Sequence, residues 1–221
     1  WGTQERVGIL LPTSCAGALV NYAAALSARV AVNLNYTVGR GGLESAINQA
    51  DLKTVVTSRQ FEAKGKLELP QNVRILYLEE IARHIGTGQR LGAMAIALLP
   101  IWLLRRLCGA SRTEKPDDDS AIIFSSGSTA EPKGVQLSHY NVISNVEAAG
   151  QVLQFMPSDK VLGILPYFHS FGNLLLWAAT HHGCGMVWVP NPLDGPTVGY
   201  MVEKYACTIA ACTPTFLQIY M

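Results

Sequence analysis

The segment at residues 125–135 has the composition expected of a phosphate-binding loop. It follows a short apolar run at residues 121–124, which predicts a buried strand. Hydroxyls and backbone N–H groups in a turn can donate hydrogen bonds to phosphate oxygens, and a lysine adds positive charge. The candidate residues are Ser125, Ser126, Gly127, Ser128, Thr129, Ala130, Glu131, Pro132, Lys133 and Gly134. We therefore predict that this loop binds a polyphosphate.

Two alternatives compete with this interpretation. The first is the Walker A loop, in which Gly-Lys is followed directly by Ser or Thr so that the hydroxyl reaches magnesium. Here Lys133 follows Pro132 and precedes Gly134, so the Walker A pattern fails. The second is a Ser- and Gly-rich surface loop without a ligand, which would not need this order of residues. Gly127 and Gly134 are expected to allow backbone conformations that residues with a Cβ resist.

A second segment, residues 165–172, places one histidine among aromatic residues. It reads Leu-Pro-Tyr-Phe-His-Ser-Phe-Gly. A lone histidine is more often structural than catalytic. The phosphate-type loop upstream favours a functional role for His169, because a motif gains meaning from its context.

Together these segments resemble the adenylate-forming superfamily. Its phosphate loop reads as a Ser/Thr-rich stretch followed by Gly, Ser/Thr, Thr, Gly, any residue, Pro, Lys and Gly; this chain departs from that pattern at Ala130. Residues 165–172 resemble the family's Pro-x-Phe-His motif, and residues 208–215 resemble a segment of its acyl-pocket wall. Residues 33–37 are most similar to acyl-[acyl-carrier-protein] synthetases, 2-acylglycerophosphoethanolamine acyltransferases and long-chain acyl-CoA synthetases.

The resemblance implies an acid–thiol ligase. Such an enzyme uses ATP and Mg²⁺ to activate a carboxylic acid, here expected to be a fatty acid, as an acyl-adenylate. It then transfers the acyl group to coenzyme A (CoA) or an acyl carrier protein. His169 would be the catalytic residue, the loop would hold ATP, and Phe168, Phe171 and Thr213 would line the substrate pocket. No metal-ligating side chain is expected in this chain.

Several later motifs of the resembled family are absent from the sequence. They include the Tyr-Gly-x-Thr-Glu segment, a ribose-binding Asp motif, the hinge and the domain with the catalytic lysine. We therefore expect an N-terminal-half fragment that is inactive in isolation. A non-catalytic nucleotide-binding module or remnant of the same fold remains the alternative. The acyl chain length and the acceptor, which includes a lysophospholipid, stay open.

The elements that must position these residues alternate between strand and helix. Alternation of this kind predicts crossover units and a mostly parallel sheet, so we expect an α/β fold with doubly wound lobes. Predicted strands lie at residues 7–11, 30–34, 54–57, 74–78, 121–124, 161–165, 186–189 and 208–211. Predicted helices lie at residues 16–27, 42–50, 79–85, 138–153, 172–180 and 197–206, and from residue 214.

Two stretches interrupt this alternation. Residues 91–104 are apolar, contain Pro100 and are flanked by arginines, but the run is shorter than the roughly 20 residues of a membrane-spanning helix. It predicts a core helix, a helix packed under a missing domain, or an interfacial helix that contacts a membrane surface. Residues 111–120 are polar and predict a linker. We therefore expect two lobes, at residues 1–113 with the apolar helix and at residues 114–221 with the loop.

The composition excludes some functions. The net charge of +1 provides no surface for a polyanion, so no nucleic-acid partner is expected. Charged residues make up 15% of the chain, below the usual value of about 25%, which indicates that a partner or membrane covers part of the surface. The five cysteines form no C-x-x-C pair and indicate a reducing compartment. We expect a cytoplasmic protein, at the inner membrane face if residues 91–104 are interfacial.

Overall fold

The computed structural model describes residues 5–69, 73–110, 114–125 and 132–221. Within these residues the strands are β1 Arg6–Ile9, β2 Val30–Asn33, β3 Thr54–Thr57, β4 Arg74–Tyr77, β5 Asp119–Ser125, β6 Lys133–Ser138, β7 Lys160–Gly163, β8 Gly185–Trp188 and β9 Ile209–Ala210. The helices are α1 Cys15–Leu26, α2 Arg40–Gln49, α3 Arg59–Gly65, α4 Leu78–Arg83, α5 Thr87–Ala97, α6 Ile101–Leu107, α7 His139–Leu153, α8 Ser170–His181, α9 Gly195–Tyr205 and α10 Pro214–Tyr220.

Six strands form the first sheet, in the order β4-β3-β1-β2-β5-β6. All neighbouring pairs are parallel except β5 and β6, which form an antiparallel hairpin at the edge. The chain moves from β1 to β2 in one direction and then crosses to β3 and β4 on the other side. This reversal creates a switch point between β1 and β3, the position at which open α/β sheets bind ligands.

Helices cover both faces of the first sheet because its strands are apolar on both faces. Successive strand side chains point to opposite faces. On β2, Ala31 packs in the same cluster as Val20 of α1, whereas Val32 packs in the cluster that contains Leu43 and Ile47 of α2. The expectation of a mostly parallel, doubly wound α/β fold is confirmed.

A second, parallel sheet has the order β8-β7-β9 and is joined closely to the first. The Tyr167 hydroxyl donates to the Ser14 carbonyl at 2.9 Å, and the buried Thr13 hydroxyl donates to the Leu165 carbonyl at 3.2 Å. The loop after β1 is therefore fastened to the loop after β7. These contacts hold the two sheets in a fixed relation.

The boundary between the sheets differs from the expected division at residue 113. Strand β5 pairs with β2, where Ala31 lies opposite Ala121, and β6 pairs with β5. All strands up to residue 138 therefore belong to the first sheet, and the later strands belong to the second sheet. The buried apolar residues of β5 complete the edge of the first sheet, so the polar stretch before them does not separate the sheets. The sequence patterns also missed α3 and β6, which contain no buried residue.

The apolar stretch forms two helices, α5 and α6, which are separated at Pro100. Neither helix contains a buried residue, so the interpretation as a core helix is wrong for the part of the chain that is described. The interpretation as a helix packed under a missing domain stays a prediction. The exposed apolar residues include Leu91 and Met94 of α5, Trp102 of α6 and Leu98, which caps the C-terminus of α5. None of the described helices has both the length and the apolar character needed to cross a bilayer.

We predict that Gly172→Ala destabilises the chain by about 3 kcal/mol, the upper end of the cost of overpacking. A Cβ at Gly172 would lie 2.1 Å from the Pro166 carbonyl oxygen, and backbone cannot move aside as a side chain can. Gly199→Ala is the matched control, because its Cβ would meet no atom within 4 Å. The control should be stabilised by roughly 0.5 to 1 kcal/mol. Urea unfolding followed by circular dichroism measures both; equal stability of the two variants would contradict the packing described.

Candidate functional site

The two ends of the candidate phosphate loop lie directly opposite each other. Ser125 ends β5 and Lys133 begins β6, and the two residues are paired in the antiparallel register. The Ser125 hydroxyl lies 3.5 Å from the Lys133 carbonyl. The predicted ligands Ser126, Gly127, Ser128, Thr129, Ala130 and Glu131 lie outside the described residues. Strands β5 and β6 thus form a hairpin whose described ends are Ser125 and Lys133.

Gly134 packs closely against an aromatic ring of the neighbouring strand. It lies opposite Phe124, and a Cβ at Gly134 would be 3.0 Å from the phenyl Cε1. The described glycines with positive φ are Gly109 and Gly183. The sequence-based expectation that Gly134 supplies an unusual backbone conformation is therefore wrong. The glycine instead lets the Phe124 ring lie across β6.

Helix α2 supports the end of the hairpin turn. Gln49 donates from Nε2 to the Pro132 carbonyl at 2.9 Å. The Lys133 side chain is exposed, and among the described residues its ammonium has no ion-pair partner. An exposed ammonium with no ion-pair partner among the described residues is available to a phosphate group.

The segment that contains His169 is attached to the same edge of the first sheet. Phe168 is buried and meets Tyr36, which follows β2, edge-on at 4.9 Å between ring centroids. Tyr36 meets Phe61 at 5.1 Å, and His169 lies against Phe168 at 4.5 Å. Strands β1, β2, β3 and β5 are parallel, so their carboxyl ends lie at one edge. The hairpin of β5 and β6 and the segment that contains His169 therefore share that edge.

His169 precedes α8 as its N-cap residue, and its side chain makes no capping hydrogen bond. Partial burial of the ring lowers the pKa of His169 below the ordinary value of 6.5. The neutral imidazole is therefore favoured at pH 7. A neutral imidazole can accept a hydrogen bond on one nitrogen and donate from the other.

The three predicted substrate-pocket residues have three different environments. Phe171 lines a cavity of about 300 Å³ between α7 and α8. Phe168 belongs to the buried core, against Tyr36. Thr213 caps α10 and accepts a hydrogen bond from the Phe216 N–H at 3.4 Å. Of the three, only Phe171 lines this cavity.

The sequence patterns did not reveal a larger cleft of about 1030 Å³ at the switch point of the first sheet. Its walls include Leu11 after β1, Tyr36 after β2, Phe61 of α3 and Glu79 of α4. The order of strands creates this cleft, and strand order cannot be read from apolar periodicity.

Glu79 provides a fixed negative charge in this cleft. Burial alone would raise the pKa of Glu79, but hydrogen bonds from the Ser58 hydroxyl and from the Arg59 and Gln60 N–H groups outweigh it. They lower the pKa to about 2. The carboxylate therefore holds the start of α3 against α4 across the physiological pH range.

Across the described ranges, no group of three or more His, Cys, Asp or Glu side chains could hold a metal ion. Apart from the Glu131 carboxylate, the functional groups of residues 125–134 are hydroxyl, backbone and ammonium groups. These groups suit a phosphate anion better than a bare cation.

Comparison with known proteins identifies the relatives of this chain. A family model described as AMP-binding enzyme matches residues 1–221. The chain is 36% identical over 184 residues to 4-coumarate–CoA ligase 2 of Oryza sativa subsp. japonica, covering 71% of this chain and 32% of the relative. It is 28% identical over 169 residues to long-chain-fatty-acid–CoA ligase 1 of Homo sapiens, covering 70% and 24%.

Solved structures share the fold. The o-succinylbenzoate CoA synthetase MenE from Bacillus subtilis, in complex with AMP, superposes with a TM-score of 0.77 at 19% identity, covering 98% of this chain and 51% of that one. The N-terminal domain of FACL13 from Mycobacterium tuberculosis gives 0.76 at 20% identity, with 98% and 51% covered. The chain thus spans about a third or less of these two curated relatives and half of these structures.

We predict that the His169 imidazole titrates below pH 6.5 in the folded chain, because partial burial disfavours its charged form. The unfolded state then binds more protons just below pH 6.5, so this residue lowers stability as the pH falls through that window. Histidine NMR titration, with His169→Gln to assign the signal, measures the pKa directly. A value above 6.5 would contradict the environment described.

Proposed function

Because the chain belongs to the AMP-binding enzyme family, we propose that the protein that carries it activates a carboxylic acid with ATP and transfers the acyl group to a thiol. One observation supports this proposal above the others. The ends of the Ser/Thr-rich loop are held as a hairpin turn at the carboxyl edge of the first sheet, with Lys133 exposed beside it. A phosphate-binding turn at that edge suits nucleotide chemistry.

In this proposal the hairpin turn holds the β- and γ-phosphates of ATP. The hydroxyls of Ser126, Ser128 and Thr129 and the turn's backbone N–H groups donate hydrogen bonds, while Lys133 supplies positive charge. The described residues offer no group of three or more metal-ligating side chains, so in this proposal Mg²⁺ would arrive with the nucleotide. When bound, this ion neutralises charge on the departing pyrophosphate.

The reaction needs no nucleophile from the protein. A carboxylate oxygen of the acid attacks the α-phosphorus, and the bond from that phosphorus to the bridging oxygen breaks. Pyrophosphate leaves with the electron pair, and an acyl-adenylate forms. A thiolate then attacks the acyl carbonyl, and AMP leaves. The residues contribute mainly by positioning the reactants and stabilising the charge on pyrophosphate.

His169 is assigned to the junction between nucleotide and acid. Its neutral imidazole follows Phe168, which fixes the segment at the sheet edge that carries the hairpin. We place a fatty or other carboxylic acid beside Phe171. The relatives named as CoA ligases support CoA as the thiol, and an acyl carrier protein is the second acceptor of the proposal.

We also propose that adenylation needs residues beyond those of this chain, since the chain spans about a third or less of the curated relatives compared above. The 221-residue chain alone should therefore give background pyrophosphate exchange. A non-catalytic nucleotide-binding module is the second candidate function. The hairpin of β5 and β6 supports it as well, because nucleotide binding alone would use the same loop. Such a module would bind ATP without catalysing exchange even in the full-length gene product.

The pair of helices α5 and α6 is proposed to contact the inner face of the membrane in a cytoplasmic protein. Residues 84–113 contain four arginines and no acidic residue. Leu98 and Trp102 are 88% and 66% exposed. An apolar face with tryptophan and flanking arginines fits an anionic lipid surface, where an arginine without a protein partner adds about 1 kcal/mol. Arg105 is ion-paired with Glu114 and is therefore not counted.

We predict that Lys133→Ala in the full-length gene product lowers the rate of adenylation about tenfold or more, because a hydrogen bond to a charged group contributes roughly 1.5–3 kcal/mol. The effect should appear in ATP-dependent pyrophosphate exchange. Thioester formation from pre-made acyl-adenylate should change far less, since no pyrophosphate is held in that half-reaction.

Lys204→Ala is the matched control for this experiment, because Lys204 is an exposed lysine on α9. Both half-reactions should retain their rates in this variant. Equal losses in both half-reactions for Lys133→Ala would mean that the lysine acts on the fold, and the phosphate assignment would have to be dropped.

We predict that the double variant Leu98→Glu/Trp102→Glu lowers binding to vesicles of phosphatidylethanolamine and phosphatidylglycerol by about tenfold, since buried apolar area and charge drive such binding. Flotation of the full-length gene product measures it. Leu19→Glu is the control, because Leu19 is an apolar residue on α1 with 65% exposure. Unchanged flotation of the double variant would remove the membrane proposal.

A further inference from the structure

The hairpin end at Lys133 is tied to helix α2 by the side chain of Gln49. Gln49 is the last residue of α2, and the two residues joined by its bond to the Pro132 carbonyl, 2.9 Å long, are 83 positions apart in the chain. Pro132 has no N–H, so the carbonyl is the backbone group that it can offer to a partner. A donor from another element thus holds the residue that directly precedes Lys133.

The Gln49 amide is itself held in one orientation. A glutamine NH₂ group has two donors, and Nε2 of Gln49 also donates to the Ser45 hydroxyl at 3.0 Å, one turn earlier on α2. The helix is anchored by Leu43 and Ile47, which are buried in the same cluster as Phe124 of β5. The amide is therefore presented from a helix that is packed against the sheet that carries the hairpin.

The start of β6 depends on such support because it lies at a sheet edge. Among the described strands, β6 pairs only with β5, and its first four residues are exposed. The ladder ends at the pair of Ser125 and Lys133, where the hydroxyl and the carbonyl are 3.5 Å apart, a long distance for a hydrogen bond. Exposed element ends open at little cost in free energy. The bond from Gln49 opposes such opening where the loop joins β6.

We propose that Gln49 is a positioning residue for nucleotide binding, which keeps the Lys133 end of the loop in the arrangement that receives the β- and γ-phosphates of ATP. The inference rests on the proposed function for the role of the loop. Gln49 acts through the Pro132 carbonyl and is not itself a ligand of the nucleotide. Its bond lowers the free-energy cost of ordering the loop when ATP binds. The gain is therefore in affinity and not in the chemical step.

The first test separates the β- and γ-phosphates from the rest of the nucleotide. In the full-length gene product, Gln49→Met removes the donor and keeps a similar size and helix propensity. Isothermal titration calorimetry should show ATP binding about three- to tenfold more weakly, as expected for the loss of one hydrogen bond. The affinity for AMP, which lacks both phosphates, should be unchanged.

The second test uses pyrophosphate exchange at saturating pyrophosphate and acid. The KM for ATP of Gln49→Met should rise about three- to tenfold, while kcat at saturating ATP keeps the wild-type value. Ser45→Ala frees one side of the amide and should raise the KM for ATP by a smaller factor. Added to Gln49→Met it should bring no further rise, because both changes act on one amide. Gln151→Met is the matched control, an exposed glutamine on α7, and should behave as the wild type.

A general effect on the fold would give a different result, namely a lower kcat with an unchanged KM for ATP, or equal losses of ATP and AMP affinity. Either would overturn the proposal, as would unchanged ATP affinity in Gln49→Met or additive effects of the Gln49 and Ser45 changes. Weaker binding of ATP alone in a protein without exchange activity would refute the proposed adenylation and leave the positioning role standing. Exchange with an unaffected Gln49→Met variant would refute only the positioning role, and no wild-type binding of ATP would refute both.

Discussion

The pairing of β5 on its two sides is the constraint on which the candidate site depends. On one side β5 is parallel to β2, which places its end at the carboxyl edge of the first sheet. On the other side it is antiparallel to β6, which brings the chain back directly opposite. A hairpin register is fixed once both strands are paired. The positions of Ser125 and Lys133 follow from these two ladders, as does the close packing of Phe124 on Gly134.

Buried polar contacts keep that edge in place. Asn21 of α1 and Asn33 of β2 exchange two amide hydrogen bonds, at 3.2 and 2.9 Å, and both side chains are buried. Paired in this way, buried amides specify one arrangement, whereas a missing partner would carry a desolvation cost. The contacts from Tyr167 and Thr13 then attach the second sheet at the same edge. Contacts with the first sheet thus determine where the segment that contains His169 lies.

Much of the fold could be predicted from the sequence because apolar runs and caps are local signals. Strand β3 lies at the predicted residues, and Ser138 caps α7 as expected. Sheet membership could not be predicted, because β5 pairs with β2 across a long sequence separation. The hairpin strand β6 was missed because its residues are largely exposed and lack an apolar run. At the site, motif spacing predicted the loop and His169 as functional residues, whereas the hydrogen bond from Gln49 to Pro132 joins residues that are far apart in the sequence.

The central claim is that the turn between β5 and β6 holds the phosphates of ATP. Hydrogen–deuterium exchange of the full-length gene product, with and without ATP and Mg²⁺, tests it most directly. Backbone N–H groups that donate to phosphate exchange more slowly. The account predicts strong, ATP-dependent protection in peptides that cover residues 125–134. Protection confined to the switch-point cleft around residues 58–65, with no change in residues 125–134, would contradict it.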